Sequence, residues 1–188
     1  MKDRVINPYL IFVTVVATLG GLLFGYDTAV ISGTVTYLDI NFIKPLMLDE
    51  TAGSSLLGFL VSSALIGCVI GGLIGGFMAT KFGRKKSLIV ASVLFIVSAV
   101  GSAFPEMGMG GDAPVHTFIV SFIVYRIIGG VGVGLASMLS PMYIAEMAPP
   151  QKRGGLVSWN QFAIIFGMLV VYFVNYSIAI SGDEAWIA

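Results

Sequence analysis

Two ionisable residues lie within long apolar stretches of this sequence, Asp27 after the run 9–26 and Arg126 in the run that begins at Thr117. A carboxylate can take up and release a proton. A guanidinium beside it stabilises the charged form, whereas burial favours the protonated form. Moving the arginine away would let the carboxylate protonate, which couples a proton to a conformational change. The alternative is a static ion pair that only fixes helix packing.

Five apolar stretches of membrane-spanning length must position these two residues. A bilayer core needs about 20 apolar residues per helix. The chain is 57 % hydrophobic and 11 % charged, with a mean hydropathy of +0.97, whereas a soluble domain carries about 25 % charged residues. The sequence therefore predicts an all-α membrane protein with five transmembrane helices, at about residues 9–36, 54–80, 87–104, 117–139 and 156–180.

The basic stretch from Lys81 to Lys86 sets the direction of these helices. It carries four cations between two uncharged apolar runs, and short loops rich in Lys and Arg stay in the cytoplasm. With this loop inside, eight cations fall on the inner side, and one cation, Lys44, falls with seven acids on the outer side. We therefore expect a multi-pass protein of the cell (inner) membrane with a cytoplasmic N-terminus and an extracytoplasmic C-terminus.

This topology also fixes the depth of the two intramembrane charges. Asp27 lies about nine residues from the predicted outer end of helix 1, and Arg126 about nine from that of helix 4. At ~1.5 Å per residue, both lie roughly 13 Å from the outer surface. Charged side chains at this depth face protein or a water-filled cavity. We therefore expect that Asp27 and Arg126 can pair.

Helix 2 carries regularly spaced glycines that indicate a packing face. Gly67, Gly71 and Gly75 are spaced by four, as are Gly72 and Gly76. Residues at this spacing lie along one side of a helix, where small side chains let another helix backbone approach closely. The spacing therefore predicts a partner helix along these glycines.

Helix 5 carries amide side chains with two possible uses. Asn160, Gln161 and Asn175 are its amides, and Gln161 and Asn175 are fourteen residues apart, so they share one helix face. An amide both donates and accepts hydrogen bonds, which suits the hydroxyl groups of a sugar. Hydrogen bonding between helices is the alternative.

Several classes of function find no support in the sequence. The net charge is zero, so bulk charge implies no nucleic-acid partner. The single cysteine, Cys68, excludes an internal disulfide, and no Cys/His cluster or Ser–His–Asp set is legible. The glycine-rich run 130–134 follows no strand, which argues against a nucleotide loop. We expect no metal site, no cofactor and no enzymatic activity.

Five stretches of the sequence, in order along the chain, form a recognisable set. They are Gly20–Asp27, Gly75–Lys86, Tyr125–Gly129, Pro141–Gly154 and Asn160–Phe162. Together they resemble the sugar porters of the major facilitator superfamily and are most similar to bacterial D-xylose–proton symporters. The resemblance implies the N-terminal part of a major facilitator fold. Complete members have twelve helices in two halves, and each half is a pair of inverted three-helix repeats.

The resemblance also implies roles for individual residues. Asp27 matches the proton-coupling carboxylate and Arg126 its arginine partner. Gln161 matches a sugar-contacting glutamine and Phe24 a residue that lines the sugar cavity. Thr80 departs from the basic-loop motif, in which sugar porters carry Asn. A cytoplasmic charge network, which latches the two halves when the inner gate is closed, is matched by Arg84, Glu146 and Arg153.

The function implied by the resemblance is proton-coupled transport of a pentose or hexose, xylose-like, by alternating access. Sugar, protons and the lipid bilayer are then the partners. We expect residues 1–188 to form an incomplete N-terminal half that needs a missing C-terminal half or self-associates. Two alternatives remain. One is part of a sugar or polyol uniporter, against which Asp27 argues, and the other is a truncated fragment that does not transport without a partner segment.

Overall fold

Five long helices make up most of the residues that the computed structural model describes, which are 8–104 and 115–181. They are α1 (Pro8–Leu38), α2 (Glu50–Lys81), α3 (Arg84–Ala103), α4 (Val115–Met147) and α5 (Arg153–Ser181). In the described part, all five are long and apolar enough to cross a membrane. Both termini and the predicted loop that carries Glu106 and Asp112 lie outside the described residues.

Every helix is longer than predicted, because the prediction followed apolar residues rather than backbone hydrogen bonds. The largest difference is in α4, which we predicted to end at Leu139 and which continues through Pro141 to Met147. A membrane helix tolerates proline where neighbouring groups pack around it. Next to the proline, the fully buried Ser140 donates to the Ala17 carbonyl of α1 at 2.9 Å. The prediction that a polar connector begins at Pro141 was wrong.

The helical backbone of α1 continues beyond its regular part, towards the end that the charge pattern predicts to lie outside the membrane. We call this end the outer end. A π-helical turn, Asp39–Ile43, and a short 3-10 turn, Lys44–Leu46, follow Leu38. Met47 then ends the helical path with a φ of 48°. An apolar cluster fixes this end of α1 against α2 and α4, and it consists of Leu38, Ile43, Leu60, Ile119 and Phe122.

The interface between α2 and α4 uses one of the two predicted glycine sets. A Cβ added at Gly67 or Gly71 would collide with a backbone carbonyl of α4, and Gly75 is buried on the same side. The second set behaves differently. Nothing lies within 4 Å of a Cβ at Gly72, and a Cβ at Gly76 would meet only a side-chain atom at 3.5 Å. A side chain is therefore excluded at Gly67 and Gly71 but not at Gly72 or Gly76.

The interface between α1 and α5 is built in the same way. A Cβ at Gly25 would collide with the carbonyl of Ile164, and a Cβ at Gly167 with the carbonyl of Leu22. Lipid tails are as apolar as the helices, so close packing rather than a hydrophobic driving force holds such helices together. In addition, α4 packs directly on both α1 and α3, so α1 and α4 lie side by side.

Candidate functional site

The two intramembrane charges meet between α1 and α4. Arg126 Nη1 donates to Asp27 Oδ1 at 2.8 Å, which is a direct ion pair. The arginine side chain is 10 % exposed and the aspartate side chain 27 %, so the pair is covered by protein on the arginine side and partly open at the carboxylate. The structure thus brings together the two residues that the depth argument matched.

The guanidinium of Arg126 is only partly satisfied. Its Nε is buried and has no hydrogen-bond partner among the described residues. A guanidinium has five N–H donors, and a buried donor without a partner costs about 1–3 kcal/mol. The ion pair consists of one N–O contact rather than the two parallel bonds of the strongest arginine–carboxylate pairs. This geometry leaves the Nε–H of Arg126 available to another acceptor.

A second ion pair joins α3 and α4 at the end that we predict to be cytoplasmic. Nη2 and Nε of Arg84 approach the same oxygen, Glu146 Oε1, at 2.7 and 2.9 Å. Arg84 Nη1 also donates to the carbonyl of Ala79, near the end of α2, at 3.3 Å. Arg84 therefore ties the ends of three helices together. Arg153, the third expected member of this network, is exposed and forms no ion pair with any described residue.

Thr80, the departure from the basic-loop motif, uses its hydroxyl within its own helix. Its Oγ1 donates to the carbonyl of Phe77 at 2.9 Å and lies 3.3 Å from that of Gly76. Its neighbour Lys81 lies over the rings of Phe77 and Phe82, at 5.4 and 5.6 Å from their centroids. Within the described residues, this part of the basic loop therefore forms local contacts rather than an ion pair.

The two predicted sugar-site residues lie on different helices. Gln161 is exposed and lies eight residues after the first residue of α5, because α5 begins at Arg153 rather than at Leu156. That distance corresponds to roughly 12 Å along the helix, which places Gln161 deeper than the predicted helix start allowed. Phe24 is half-buried and lies three residues before Asp27 on α1.

The three amides of α5 divide into two groups. Asn160 is 6 % exposed and packs against Gly21, and Asn175 packs against Gly33. These contacts agree with the packing interpretation for those two residues. Gln161 is exposed instead, although its spacing from Asn175 predicted a shared face. Gln161 is therefore the amide that remains available to a ligand.

Sequence reasoning missed a place where three helices, α1, α4 and α5, meet. Ser140 of α4 lies against Gly20, and Asn160 of α5 lies against the next residue, Gly21. The Oδ1 of Asn160 is buried without a hydrogen-bond partner among the described residues. The available signal was the pair of adjacent glycines, because two neighbouring positions without side chains let two helices approach α1 from two directions.

Two other features are separate from these residues. The described residues contain no group of three or more His, Cys, Asp or Glu side chains that could hold a metal ion. An apolar groove of about 570 Å³ lies between α1, α3 and α4, and its lining includes Phe12, Leu19 and Phe95. None of the candidate site residues lines this groove.

The fold and the arrangement of these residues match a known family. The family model described as "Sugar (and other) transporter" matches residues 13–188. The chain therefore belongs to this family of the major facilitator superfamily, which confirms the resemblance found in the sequence. It is a multi-pass membrane protein of a transporter family and not an enzyme.

The chain is also similar to individual proteins of known name or structure. The chain is 59 % identical over its whole length to the "D-xylose-proton symporter" of Escherichia coli (strain K12), of which it covers 40 %. It is 42 % identical, over 92 % of its length, to the "Glucose facilitated diffusion protein" of Zymomonas mobilis, of which it covers 36 %. The inward-open structure of the xylose transporter XylE from E. coli matches 95 % of this chain with a TM-score of 0.89 and 61 % identity.

The match covers only part of each relative. The chain spans 42 % of the matched XylE chain, in its N-terminal part. The all-α fold, as the N-terminal part of a major facilitator fold with five transmembrane helices, is therefore confirmed.

Proposed function

We propose that this chain forms the N-terminal part of a proton-coupled sugar symporter, which moves a xylose-like pentose or hexose across the cell membrane by alternating access. The observation that carries the proposal is the Asp27–Arg126 pair, a titratable carboxylate inside the membrane that is 27 % exposed beside a partly satisfied arginine. The identity of 59 % to a protein named as a D-xylose–proton symporter supports both the coupling to a proton and a pentose as the substrate.

In the proposed cycle, Asp27 carries the proton. The charged carboxylate holds Arg126, and therefore holds α1 against α4, through the contact at 2.8 Å. Protonation removes the attraction between opposite charges, so the two helices can shift relative to each other. A proton can drive such a shift only if it binds one conformation more tightly than the other. An ion pair that is closed in one conformation and open in the other meets this requirement.

The proposed sugar site uses the exposed side chain of Gln161 on α5 and the aromatic ring of Phe24 on α1. The amide of Gln161 can donate to one sugar hydroxyl and accept from another, and Phe24 offers an apolar ring. In this family, the substrate lies between two halves that rock against each other. The relatives that supply this comparison are more than twice as long as the matched part. We use the term complete transporter for the chain continued by such a C-terminal part.

The chain by itself is proposed not to transport. Asp27, Arg126 and Gln161 would face no opposing half, and charged groups next to lipid cost about 2.5–3.5 kcal/mol or more. The isolated chain should therefore self-associate or require a complementary segment. Proteoliposomes that contain only these 188 residues, supplied with labelled pentose and an inward proton gradient, test this proposal. Saturable uptake that Asp27→Asn abolishes would contradict it.

The uniporter alternative has support from the relative named as a glucose facilitated diffusion protein. Uptake of labelled xylose by the complete transporter distinguishes the two functions. A symporter accumulates sugar above the external concentration, loses this ability when an uncoupler is added, and makes a weakly buffered medium more alkaline. A uniporter only equilibrates the sugar and leaves the pH of the medium unchanged, and this result would reject proton coupling.

The proposed membrane orientation has its own test. A reporter fused after Ala188 should be extracytoplasmic, and a reporter inserted between Lys81 and Lys86 should be cytoplasmic, because eight of the nine cations outside the spans fall on one side. Alkaline phosphatase, which is active outside, and a fluorescent protein that folds inside report the two locations. Both reporters on the same side of the membrane would contradict five crossings.

The sugar role of Gln161 is tested by binding. Gln161→Ala in the complete transporter should raise the dissociation constant for xylose about three- to tenfold, since one hydrogen bond contributes about 0.5–1.5 kcal/mol. Asn175→Ala is the control, because Asn175 packs against Gly33 in the interface of α1 with α5. Calorimetry that shows an unchanged constant for a folded Gln161→Ala protein would remove Gln161 from the site.

A further inference from the structure

One face of α1 changes from buried to exposed along its length. Residues three or four positions apart lie on the same face of a helix. On the face that includes position 21, the half towards the N-terminus is buried and the outer half is exposed. The buried members are Thr14, Thr18, Gly21 and Gly25, and the exposed members are Thr28, Ser32 and Thr36. We call the three exposed residues the hydroxyl row.

The buried half of this face is closed by two neighbouring helices. Ser140 of α4 and Asn160 of α5 approach α1 at Gly20 and Gly21, next to each other. Further out, α5 still contacts α1 at Gly33 through Asn175, yet the hydroxyl row stays uncovered. The neighbouring helices therefore cover this face of α1 as far as Gly25 and leave it open from Thr28 outwards.

The open face begins beside the proposed proton site. Thr28 follows Asp27 directly, and a carboxylate inside the membrane must face protein or water rather than lipid. The exposed face of α3 differs from this face of α1, because it is mostly apolar and includes Ile89, Val93 and Ile96. Three hydroxyls at successive turns, next to an intramembrane carboxylate, indicate a water-filled cavity rather than a lipid-facing surface.

Two of the three hydroxyls, those of Thr28 and Ser32, are oriented as hydrogen-bond acceptors. Thr28 Oγ1 donates to the carbonyl of Phe24 at 2.8 Å, and Ser32 Oγ donates to the carbonyl of Ala29 at 2.6 Å. A hydroxyl that donates to its own helix keeps its lone pairs available to an incoming donor. The hydroxyl row extends roughly 12 Å along the helix axis, and its inner end lies one turn from Phe24.

We propose that the hydroxyl row is an outer sugar-binding track, which accepts hydrogen bonds from sugar hydroxyls between the outer side of the membrane and the site at Gln161. This inference rests on the proposed sugar transport and adds three residues to it. Thr28→Val removes one acceptor and keeps the branched shape. It should raise the KM for xylose uptake about three- to tenfold and leave kcat within about twofold, because a single hydrogen bond to the sugar is lost.

Thiol labelling of the complete transporter in intact cells tests the track directly. In a Cys68→Ser background, each residue of the hydroxyl row is changed to cysteine in turn, and a membrane-impermeant maleimide is added from outside. Thr18→Cys, on the buried half of the same face, and Ser92→Cys, an exposed hydroxyl position on α3, are the matched controls. The row should react at least about tenfold faster than both controls, and saturating xylose should slow its reaction at least about threefold.

A Gln161→Cys protein in the same background separates this inference from the proposed function. Protection by xylose at the row and at Gln161 supports the track. Protection at Gln161 alone overturns the track and leaves sugar binding intact. No protection at either place overturns both proposals. Labelling of the row no faster than at Ser92 or Thr18 also overturns the track, because the row would then not line an open cavity.

Discussion

The two ion pairs of α4 differ in burial and geometry. Arg126 and Asp27 are 10 % and 27 % exposed and share one N–O contact, whereas Arg84 and Glu146 are 36 % and 43 % exposed and share two. Exposed pairs contribute about 0–1 kcal/mol to stability. Removing one partner of a buried pair costs about 3–5 kcal/mol, because a charge is left unpaired. We therefore expect the buried Asp27–Arg126 pair to serve as a switch and the exposed Arg84–Glu146 pair to serve as a weak tether.

One helix carries a member of each pair. Arg126 and Glu146 are twenty residues apart on α4, which corresponds to roughly 30 Å. If protonation of Asp27 releases α4 from α1, the shift reaches the Arg84–Glu146 contact through the helix itself. Pro141 lies between the two pairs and removes one backbone hydrogen bond, so this segment is where α4 can bend. The following predictions test whether the two pairs perform these different tasks.

The largest expected effect comes from Asp27→Asn. Asparagine keeps the shape of the side chain but does not titrate, so the complete transporter should lose all accumulation of xylose against a gradient while sugar binding is largely retained. The measurement is sugar-induced alkalinisation of the medium, together with calorimetric binding. Asp39→Asn is the matched control, because Asp39 lies just beyond the end of the same helix in a long, exposed contact with Lys44 at 3.9 Å.

Wild-type alkalinisation in the Asp27→Asn protein would show that Asp27 does not couple the proton. Loss of both binding and alkalinisation would instead point to a static ion pair that is needed for the fold. The Asp39→Asn protein should behave like the wild type in both measurements.

The next effect concerns stability. Asp27→Asn leaves a buried guanidinium that cannot lose its charge, whereas Arg126→Gln leaves a carboxylate that can take up a proton. Asp27→Asn should therefore lower the free energy of unfolding of the complete transporter more than Arg126→Gln does, with the larger loss about 3–5 kcal/mol. Denaturant titration in detergent micelles measures both values. Equal losses below about 1 kcal/mol would mean that the pair is as weak as an exposed one.

The sequence predicted the Asp27–Arg126 pair because the physical constraints on an intramembrane charge are simple. A bilayer has a known thickness, a helix has a fixed rise, and a charge at mid-membrane needs a partner, so two depths were enough to match Asp27 with Arg126. Five helices were predicted for the same reason. The end of α4 was not, because hydropathy reports where a helix leaves the membrane and not where its backbone hydrogen bonds stop.

Rotation about the helix axis was harder to predict than depth. Spacing by four gave Gly67–Gly71–Gly75 and Gly72–Gly76 equal weight, and only the packing of α4 decided between them. The same limit applies to α5, where neighbouring amides, Asn160 and Gln161, have opposite environments. Which of two adjacent residues faces a partner depends on the position of other helices, and a single helical pattern does not contain that information.

The smallest expected effect belongs to the exposed Arg84–Glu146 pair. In a double-mutant cycle, Arg84→Gln and Glu146→Gln should show a coupling free energy of unfolding below about 1 kcal/mol, against a clearly larger value for Asp27→Asn with Arg126→Gln. The coupling free energy of the Arg84–Glu146 pair should also fall further in about 1 M salt, where the Debye length is roughly 3 Å. That of the Asp27–Arg126 pair should change little. Arg84 also donates to Ala79, so Arg84→Gln alone should cost more than Glu146→Gln alone. Equal, salt-independent coupling energies for the two pairs would remove the distinction between switch and tether.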